Sequence, residues 1–211
     1  APLAVKRDNV CEGAGESEGK NDGEKAQSDF SLSSIGVDSS LREVEFYYPM
    51  HNSQVQQLTF LLTDHRKRLP YQQAHQASGA RVILPNYQKL KGMMHGFIDL
   101  IFEYDGKFYV CDYKSNYLGD DYSDYQQEHM QKSIQEHHYD LQYLIYSLAL
   151  HRQLKITIEN YNPNEHFGGV IYCYLRGMTP NNDGDTGVFL RDILSEELDQ
   201  LDQLFGEEQG G

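Results

Sequence analysis

The stretch from residue 96 to residue 115 constrains the fold most strongly, because it combines two β-rich runs with a turn between them. Residues 97–102 (FIDLIF) and 107–114 (KFYVCDYK) are rich in β-branched and aromatic side chains. The Tyr104-Asp105-Gly106 sequence that separates them is typical of a tight turn between antiparallel strands. We therefore predict a β-hairpin.

Three charged residues interrupt these apolar runs. Asp112 and Lys114 are two positions apart, so on a strand they project from one face while Tyr113 points to the other. The turn brings Asp99 onto the neighbouring strand, where two carboxylates and one ammonium group can meet. An unpaired carboxylate among apolar side chains is costly. A hard divalent cation would resolve that cost, since Mg²⁺ prefers oxygen ligands and needs few carboxylates beside water.

A structural explanation of these three residues stays open. Asp112 and Lys114 could be charges at an exposed strand edge, or Asp99 could pair with Lys114. The short Asp-x-Lys pattern is not specific by itself, and the second aspartate on the adjacent strand is what favours a functional interpretation.

Apolar periodicity predicts the remaining elements. Residues 42–49 alternate charged with apolar side chains and indicate a strand, and residues 53–62 indicate a helix. Residues 126–152 predict one long amphipathic helix, residues 168–175 a strand and residues 194–204 a closing helix, whereas residues 71–79 are polar and predict a loop. This order predicts an α/β domain with a mixed central sheet flanked by helices.

The length of 211 residues and an apolar share of 39% fit one domain with a single core. Residues 8–29 carry hardly any bulky apolar side chains, so we predict a disordered acidic linker over residues 1–35 and a folded domain over residues 36–211. The first nine residues contain neither an initiator Met nor the apolar core of a signal peptide. We expect a piece of a longer protein.

Cysteine content and charge limit the function classes. Cys11, Cys111 and Cys173 are too few for a four-thiolate zinc or iron–sulfur site, and we expect inert thiols in a reducing cytoplasm. The formal net charge of −14 argues against an independent DNA-binding surface, which is usually basic. If DNA is the ligand, other subunits must hold it.

Several blocks, in this order, resemble a known family: Gly96–Phe102, Asp112–Gly119, Tyr139–Tyr143, His166–Tyr172 and Leu175–Gly177. They are similar to the C-terminal nuclease domains of the RecB family, the beta subunits of the RecBCD helicase-nuclease (exodeoxyribonuclease V), in the PD-(D/E)XK superfamily. The similarity spans about residues 43–205. It implies a restriction-endonuclease-like core and Mg²⁺-dependent hydrolysis of DNA during double-strand-break repair and recombination.

The resemblance also implies roles for the hairpin residues. Asp99, Asp112 and the main-chain carbonyl of Tyr113 would bind Mg²⁺. Lys114 would orient or activate the attacking water and offset charge on the scissile phosphate.

Further site residues follow from the same resemblance. The family's acidic residue on the preceding strand falls on Glu43, with Glu45 as the alternative register. Simple alternation places both glutamates on one strand face, so it does not choose between them, and either could face solvent. Gln142 and Tyr146 match the family's Gln-x-x-x-Tyr motif, which positions DNA or the active site. On periodicity alone, they would be polar groups on a helix face.

The family's partners become expectations for this chain: linear DNA ends that are single-stranded in the site, the RecC and RecD subunits, and the RecA recombinase. An alternative function is a docking module that recruits RecA with weak or no catalysis. The family's upstream metal-binding histidine has no counterpart here, because no histidine precedes His51, and His95 matches no family ligand. No GxxxxGK[ST] loop is present, so an ATP-driven motor would lie outside this chain.

Overall fold

A computed structural model of the chain describes residues 32, 35–69, 82, 84, 89–179 and 186–206, with the side chains at 51–54 and 89–91 left undescribed. Most of the linker predicted over residues 1–35 and the loop predicted over residues 71–79 lie outside these ranges. Among the described residues, no helix combines the length and apolarity needed to cross a membrane.

The described part of the chain contains five strands and five α-helices, beside three short 3-10 helices. In chain order they are β1 (Ser40–Gln54), α1 (Val55–Lys67), β2 (Lys89–Tyr104), β3 (Lys107–Lys114), α2 (Gln127–Glu136), α3 (Tyr139–Thr157), α4 (Pro163–His166), β4 (Phe167–Tyr174), β5 (Val188–Arg191) and α5 (Ser195–Leu204). The strands form one sheet in the order β1-β2-β3-β4-β5. Only β3 and β4 pair in parallel among these strands. The predicted fold class, a mixed central sheet flanked by helices, is therefore confirmed.

The predicted hairpin is present, with β2 longer than expected. Asp105 has φ 51° and Gly106 has φ 73°, and positive φ at both central residues suits the twist of antiparallel strands. The β2–β3 pairing runs only from Leu100↔Cys111 to Tyr104↔Lys107. The β1–β2 pairing continues as far as Gln54↔Lys89. Residues 44–54 and 89–98 therefore extend past the β2–β3 pairing as a two-stranded arm, which we call the β1–β2 ribbon.

The prediction of one helix over residues 126–152 is wrong, because α2 ends at Glu136 and α3 begins at Tyr139. His138 adopts a left-handed conformation at the break, with φ 54° and ψ 32°. Buried Arg66 of α1 donates to the carbonyl of Gln135 at 3.1 Å and to Oδ1 of Asp140 at 3.0 Å. The last turn of α2 and the first turn of α3 are thus both bound to α1. This contact cannot be predicted from local periodicity.

A second buried polar group joins three helices. His65 of α1 lies between Glu197 of α5 and the hydroxyl of Tyr143 on α3, bonding each through one ring nitrogen. Burial raises the pKa of Glu197, but the hydrogen bond and charge of His65, together with Arg68, bring it below its ordinary value. This group is structural, since it ties the helices to one another.

The sheet separates two apolar clusters. The larger one lies under the helices and includes Ile98, Ile101, Val110 and Val170. The smaller one lies on the other face around Leu100, Phe102, Tyr109, Cys111, Ile171, Cys173 and Val188, with Leu32 and Ile35 packed against it. The predicted element order omits the short β5 and α4, whose four residues each carry little periodic pattern.

Candidate active site

Asp99 lies where the β2–β3 pairing ends. The last paired position is Leu100↔Cys111, and the same register continued by one step sets Asp99 opposite Asp112. Oδ2 of Asp99 accepts a hydrogen bond of 2.9 Å from the main-chain N–H of Tyr113. The Asp99 carboxylate thus forms a side-chain hydrogen bond to β3, one residue beyond the last paired position of the two strands. The two aspartates meet at this point, as the hairpin predicts.

Asp112 is buried, with 3% of its surface exposed. Its Oδ2 lies 2.6 Å from Nζ of Lys114, and apart from this ion pair that oxygen has no hydrogen-bond partner among the described residues. Burial raises the pKa of Asp112 against the opposing effect of Lys114, and the charge of Asp99 adds to the rise. A buried, under-bonded carboxylate oxygen is suited to a cation.

Lys114 is held on several sides. Its Nζ donates to Oε1 of Gln142 at 2.8 Å, in addition to the ion pair with Asp112. The same ammonium lies 4.0 Å from the ring centroid of Tyr139 and 4.7 Å from that of Tyr172, within the range of a cation–π interaction. Lys114 therefore pairs with Asp112 rather than with Asp99.

Gln142 and Tyr146 face this lysine from α3. Oε1 of Gln142 accepts from Lys114 and, at 2.9 Å, from the hydroxyl of Tyr172. Nε2 of Gln142 donates to the hydroxyl of Tyr146 at 2.8 Å. The amide is thus fixed at both ends, with its oxygen toward the ammonium. The predicted helical stripe is present and points into the site.

Tyr139 and Tyr172 are site residues that sequence reasoning missed. Tyr172 is the register partner of Asp112 on the parallel strand β4, and its hydroxyl also donates to the carbonyl of Tyr139 at 3.1 Å. A tyrosine inside a fully buried strand is the signal that could have identified Tyr172, because a buried hydroxyl requires a partner. Tyr139 follows the break between α2 and α3, which periodicity did not predict.

The two candidate glutamates have different surroundings. Glu43 has φ 50° and lies opposite Asp99 in the β1–β2 register, between Arg42↔Leu100 and Val44↔Ile98. The positive φ interrupts the strand alternation that placed Glu43 and Glu45 on one face. Glu45 instead accepts hydrogen bonds from the hydroxyl of Tyr47 and from Nε2 of His95. This geometry favours Glu43, whose catalytic role stays a prediction.

The donor set suits a hard cation and little else. Asp99, Asp112 and the carbonyl of Tyr113 offer oxygen atoms only. No group of three or more His, Cys, Asp and Glu side chains that could hold a metal occurs in the described ranges. Any ion held here would complete its shell with water, which Mg²⁺ does readily because it dehydrates reluctantly.

The two thiols in the described part of the chain lie apart from this arrangement. Cys111 and Cys173 lie on the other face of the sheet, fully buried, with 3.8 Å between their Sγ atoms. Their mutual hydrogen bond and burial raise the pKa of Cys111. A protonated, enclosed thiol is unreactive; the inert thiols predicted from the sequence agree with Cys111 and Cys173, whereas Cys11 lies outside the described residues.

Known proteins share sequence similarity with this chain. No protein-family model matches the chain. The RecBCD enzyme subunit RecB of Escherichia coli is 40% identical over 148 residues, and that of Haemophilus influenzae is 45% identical over 119 residues. The subunit of Mycolicibacterium smegmatis is 33% identical over 175 residues. These matches cover 70%, 56% and 75% of this chain but only 12%, 10% and 16% of the relatives. The chain, which corresponds to a small part of those relatives, belongs to the RecB family.

Proposed function

We propose that this chain is a Mg²⁺-dependent nuclease domain that hydrolyses phosphodiester bonds of linear DNA during double-strand-break repair and recombination. The observation that carries the proposal is the meeting of Asp99 and Asp112 at the end of the β2–β3 pairing, beside a buried lysine that Gln142 orients. The relatives are named as a subunit of the RecBCD enzyme, so we propose that this chain works with RecC and RecD.

Different residues of this chain would have different roles in the reaction. A divalent cation held by Asp99, Asp112 and the Tyr113 carbonyl would supply Lewis acidity and lower the pKa of bound water. Lys114 would place positive charge next to the scissile phosphate and orient the attacking water. Gln142 and the two tyrosine rings hold that ammonium in place, and the burial around it strengthens its electrostatic effect.

Delivery of the DNA would come from elsewhere. With a formal net charge of −14, the chain does not attract the phosphate backbone over long range. A motor that feeds the strand into the site would replace charge attraction by a high effective concentration. The substrate strand would be single-stranded at the site.

Lys114→Gln should lower the single-turnover cleavage rate by about 100-fold while leaving Mg²⁺ affinity unchanged or slightly improved. The ammonium would stabilise the transition state but repels the cation, so its loss affects the two quantities differently. Calorimetric titration of Mg²⁺ and single-turnover kinetics measure them separately. Lys107→Gln, at the other end of β3, is the matched control. Equal losses of rate and affinity would make Lys114 a structural residue.

Gln142→Leu should lower kcat about tenfold or more with little change in KM. The substitution removes an acceptor from a charged donor, which costs about 1.5–3 kcal/mol, and each 1.4 kcal/mol is about tenfold in rate. Tyr146→Phe should have a smaller effect, because it removes a partner of the amide and not of Lys114. Gln153→Leu on exposed α3 surface is the control. A change confined to KM would contradict the positioning role.

Recruitment of RecA stays a prediction from the resemblance. Docking does not depend on the metal or on the carboxylates, so binding of RecA to this chain should survive Asp112→Asn and chelation of Mg²⁺. Cleavage should survive neither. A pull-down beside a nuclease assay on the same variant separates the two functions.

A further inference from the structure

A row of exposed side chains lies along one face of the β1–β2 ribbon. Three cross-strand pairs form it: Glu45↔Phe97, Tyr47↔His95 and Pro49↔Met93. Tyr47 is 59% exposed, Phe97 51% and Met93 60%. Large apolar side chains exposed side by side mark an interaction surface more often than single ones do. We call Tyr47, His95 and Phe97 the aromatic platform.

The platform is ordered before anything binds to it. The rings of Tyr47 and His95 are stacked, with centroids 4.3 Å apart and planes 3° from parallel. The ring of Phe97 meets His95 edge-on, with centroids 5.3 Å apart. Glu45 fixes the stacked pair, since its Oε1 accepts from the hydroxyl of Tyr47 and, at 3.0 Å, from Nε2 of His95. Rings that are already positioned lose little side-chain freedom when a ligand stacks on them.

The platform lies next to Asp99 along β2, on the face of the ribbon directed away from α3. Phe46, between Glu45 and Tyr47, directs its ring to Tyr146 of α3, and alternate residues of a strand face opposite sides. Phe97 precedes Asp99 by two residues on β2, a distance of roughly 7 Å at the usual strand rise. The β2–β3 pairing has ended before this point, so the edge of β2 between Asp99 and the platform is not paired with β3. A DNA strand whose phosphate lies at the two aspartates would reach the platform by crossing this unpaired edge of β2.

We propose that the aromatic platform binds unpaired nucleobases of the DNA strand that is cleaved. The proposal rests on the function proposed above and names the part of the substrate that is recognised. Stacking of bases on aromatic rings tolerates any sequence and requires no positive charge. Among the described side chains, the charged group that contacts the rings is Glu45, whose pKa is lowered by the hydrogen bonds from Tyr47 and His95. An ionised carboxylate repels phosphates, so bases rather than backbone would face the platform.

Stacking would also compensate for the weak attraction between this acidic chain and the DNA phosphates. A net charge of −14 removes most of the non-specific affinity that phosphate contacts supply. Base stacking is a source of affinity that remains available to an acidic protein. It would hold the single strand only where bases are unpaired, because paired bases present no free face.

The test measures binding without cleavage. The full chain is titrated in EDTA and at low salt with three labelled probes: a thymidine oligonucleotide, an abasic oligonucleotide of equal length and charge, and a duplex. Fluorescence anisotropy should show about tenfold tighter binding of the thymidine probe than of the other two. Tyr47→Ala and Phe97→Ala should each weaken thymidine binding about tenfold and leave abasic binding unchanged.

Two further variants make the result specific. Phe60→Ala removes a ring that is 72% exposed on α1 rather than on the ribbon, and should leave all affinities unchanged. Tyr47→Phe keeps the ring and loses only its hydrogen bond to Glu45, so it should retain most of the binding. Thymidine binding by Tyr47→Phe that stays close to the wild-type value would show that the base contacts the ring and not the hydroxyl.

Several outcomes overturn the proposal while leaving the nuclease function intact. Equal affinity of wild type for thymidine and abasic probes would show that the rings bind no bases. Unchanged DNA affinity in Tyr47→Ala, combined with loss of assembly with partner subunits, would make the row a protein interface. Conversely, absence of Mg²⁺-dependent cleavage with platform binding preserved would reject the nuclease function alone, because binding is measured without metal.

Discussion

Asp112→Asn is expected to reduce Mg²⁺-dependent cleavage of linear single-stranded DNA by about a thousandfold. A bound metal supplies several kcal/mol of transition-state stabilisation, and about 4 kcal/mol corresponds to three powers of ten in rate. Burial and the charge of Asp99 already disfavour the Asp112 carboxylate, and without it Lys114 keeps Gln142 and the rings of Tyr139 and Tyr172, so the fold should persist. Single-turnover kinetics with and without EDTA measures the loss, and thermal unfolding measures the fold.

Two further variants serve as controls for that result. Asp120→Asn changes an exposed carboxylate in the loop after β3 and should cleave like the wild type. Asp112→Asn combined with Lys114→Gln removes both charges of the ion pair, so no unpaired ammonium is left buried, and it should be as inactive as Asp112→Asn. A folded Asp112→Asn variant that cleaves at the wild-type rate would exclude Asp112 as a metal ligand and the proposed centre with it.

Asp140→Asn is expected to destabilise the fold by about 3–5 kcal/mol, the usual cost of leaving one charge of a buried pair without its partner. Asp140 is fully buried and receives two hydrogen bonds from Arg66, which is itself buried. For a domain of this size the loss corresponds to a fall in Tm of about 6–20 °C. Urea unfolding followed by circular dichroism measures the free energy directly.

The control lies on the surface of α1. Asp64 forms exposed ion pairs with Lys67 at 3.9 Å and Arg68 at 3.5 Å, and such pairs contribute about 0–1 kcal/mol. Asp64→Asn should therefore change stability little. Replacement of both partners, Arg66→Met with Asp140→Leu, should cost less than Asp140→Asn, since it leaves no charge uncompensated. If Asp140→Asn proves no more harmful than Asp64→Asn, Arg66 does not hold α2 and α3 to α1.

The local sequence pattern was sufficient to predict the hairpin and the positions of its three charged residues. Asp105 and Gly106 suit a tight turn, and the twofold period of a strand places Asp112 and Lys114 on one face. Both are buried, while Tyr113 is 43% exposed. The helix stripe that carries Gln142 and Tyr146 follows from local spacing in the same way. The roles assigned to these residues are predictions from the family resemblance.

The features that periodicity did not predict depend on contacts between residues that are distant in the chain. Arg66 and Asp140 are 74 positions apart, and their pairing accompanies the break between α2 and α3. The break sets Tyr139 beside Lys114, and the parallel pairing of β4 with β3 adds Tyr172. Neither pairing leaves a periodic signal, because each joins elements that are far apart in the chain.

The sequence by itself determined the hairpin, the α/β class and the neighbourhood of Asp99, Asp112 and Lys114. These follow from strand period and turn chemistry, which act over a few residues. Tertiary structure alone decided the partner of Lys114 and the different surroundings of the two glutamates. Strand register, an interrupted alternation at Glu43 and the packing of α3 on the sheet set these contacts, and all three arise only when elements distant in the chain pack together.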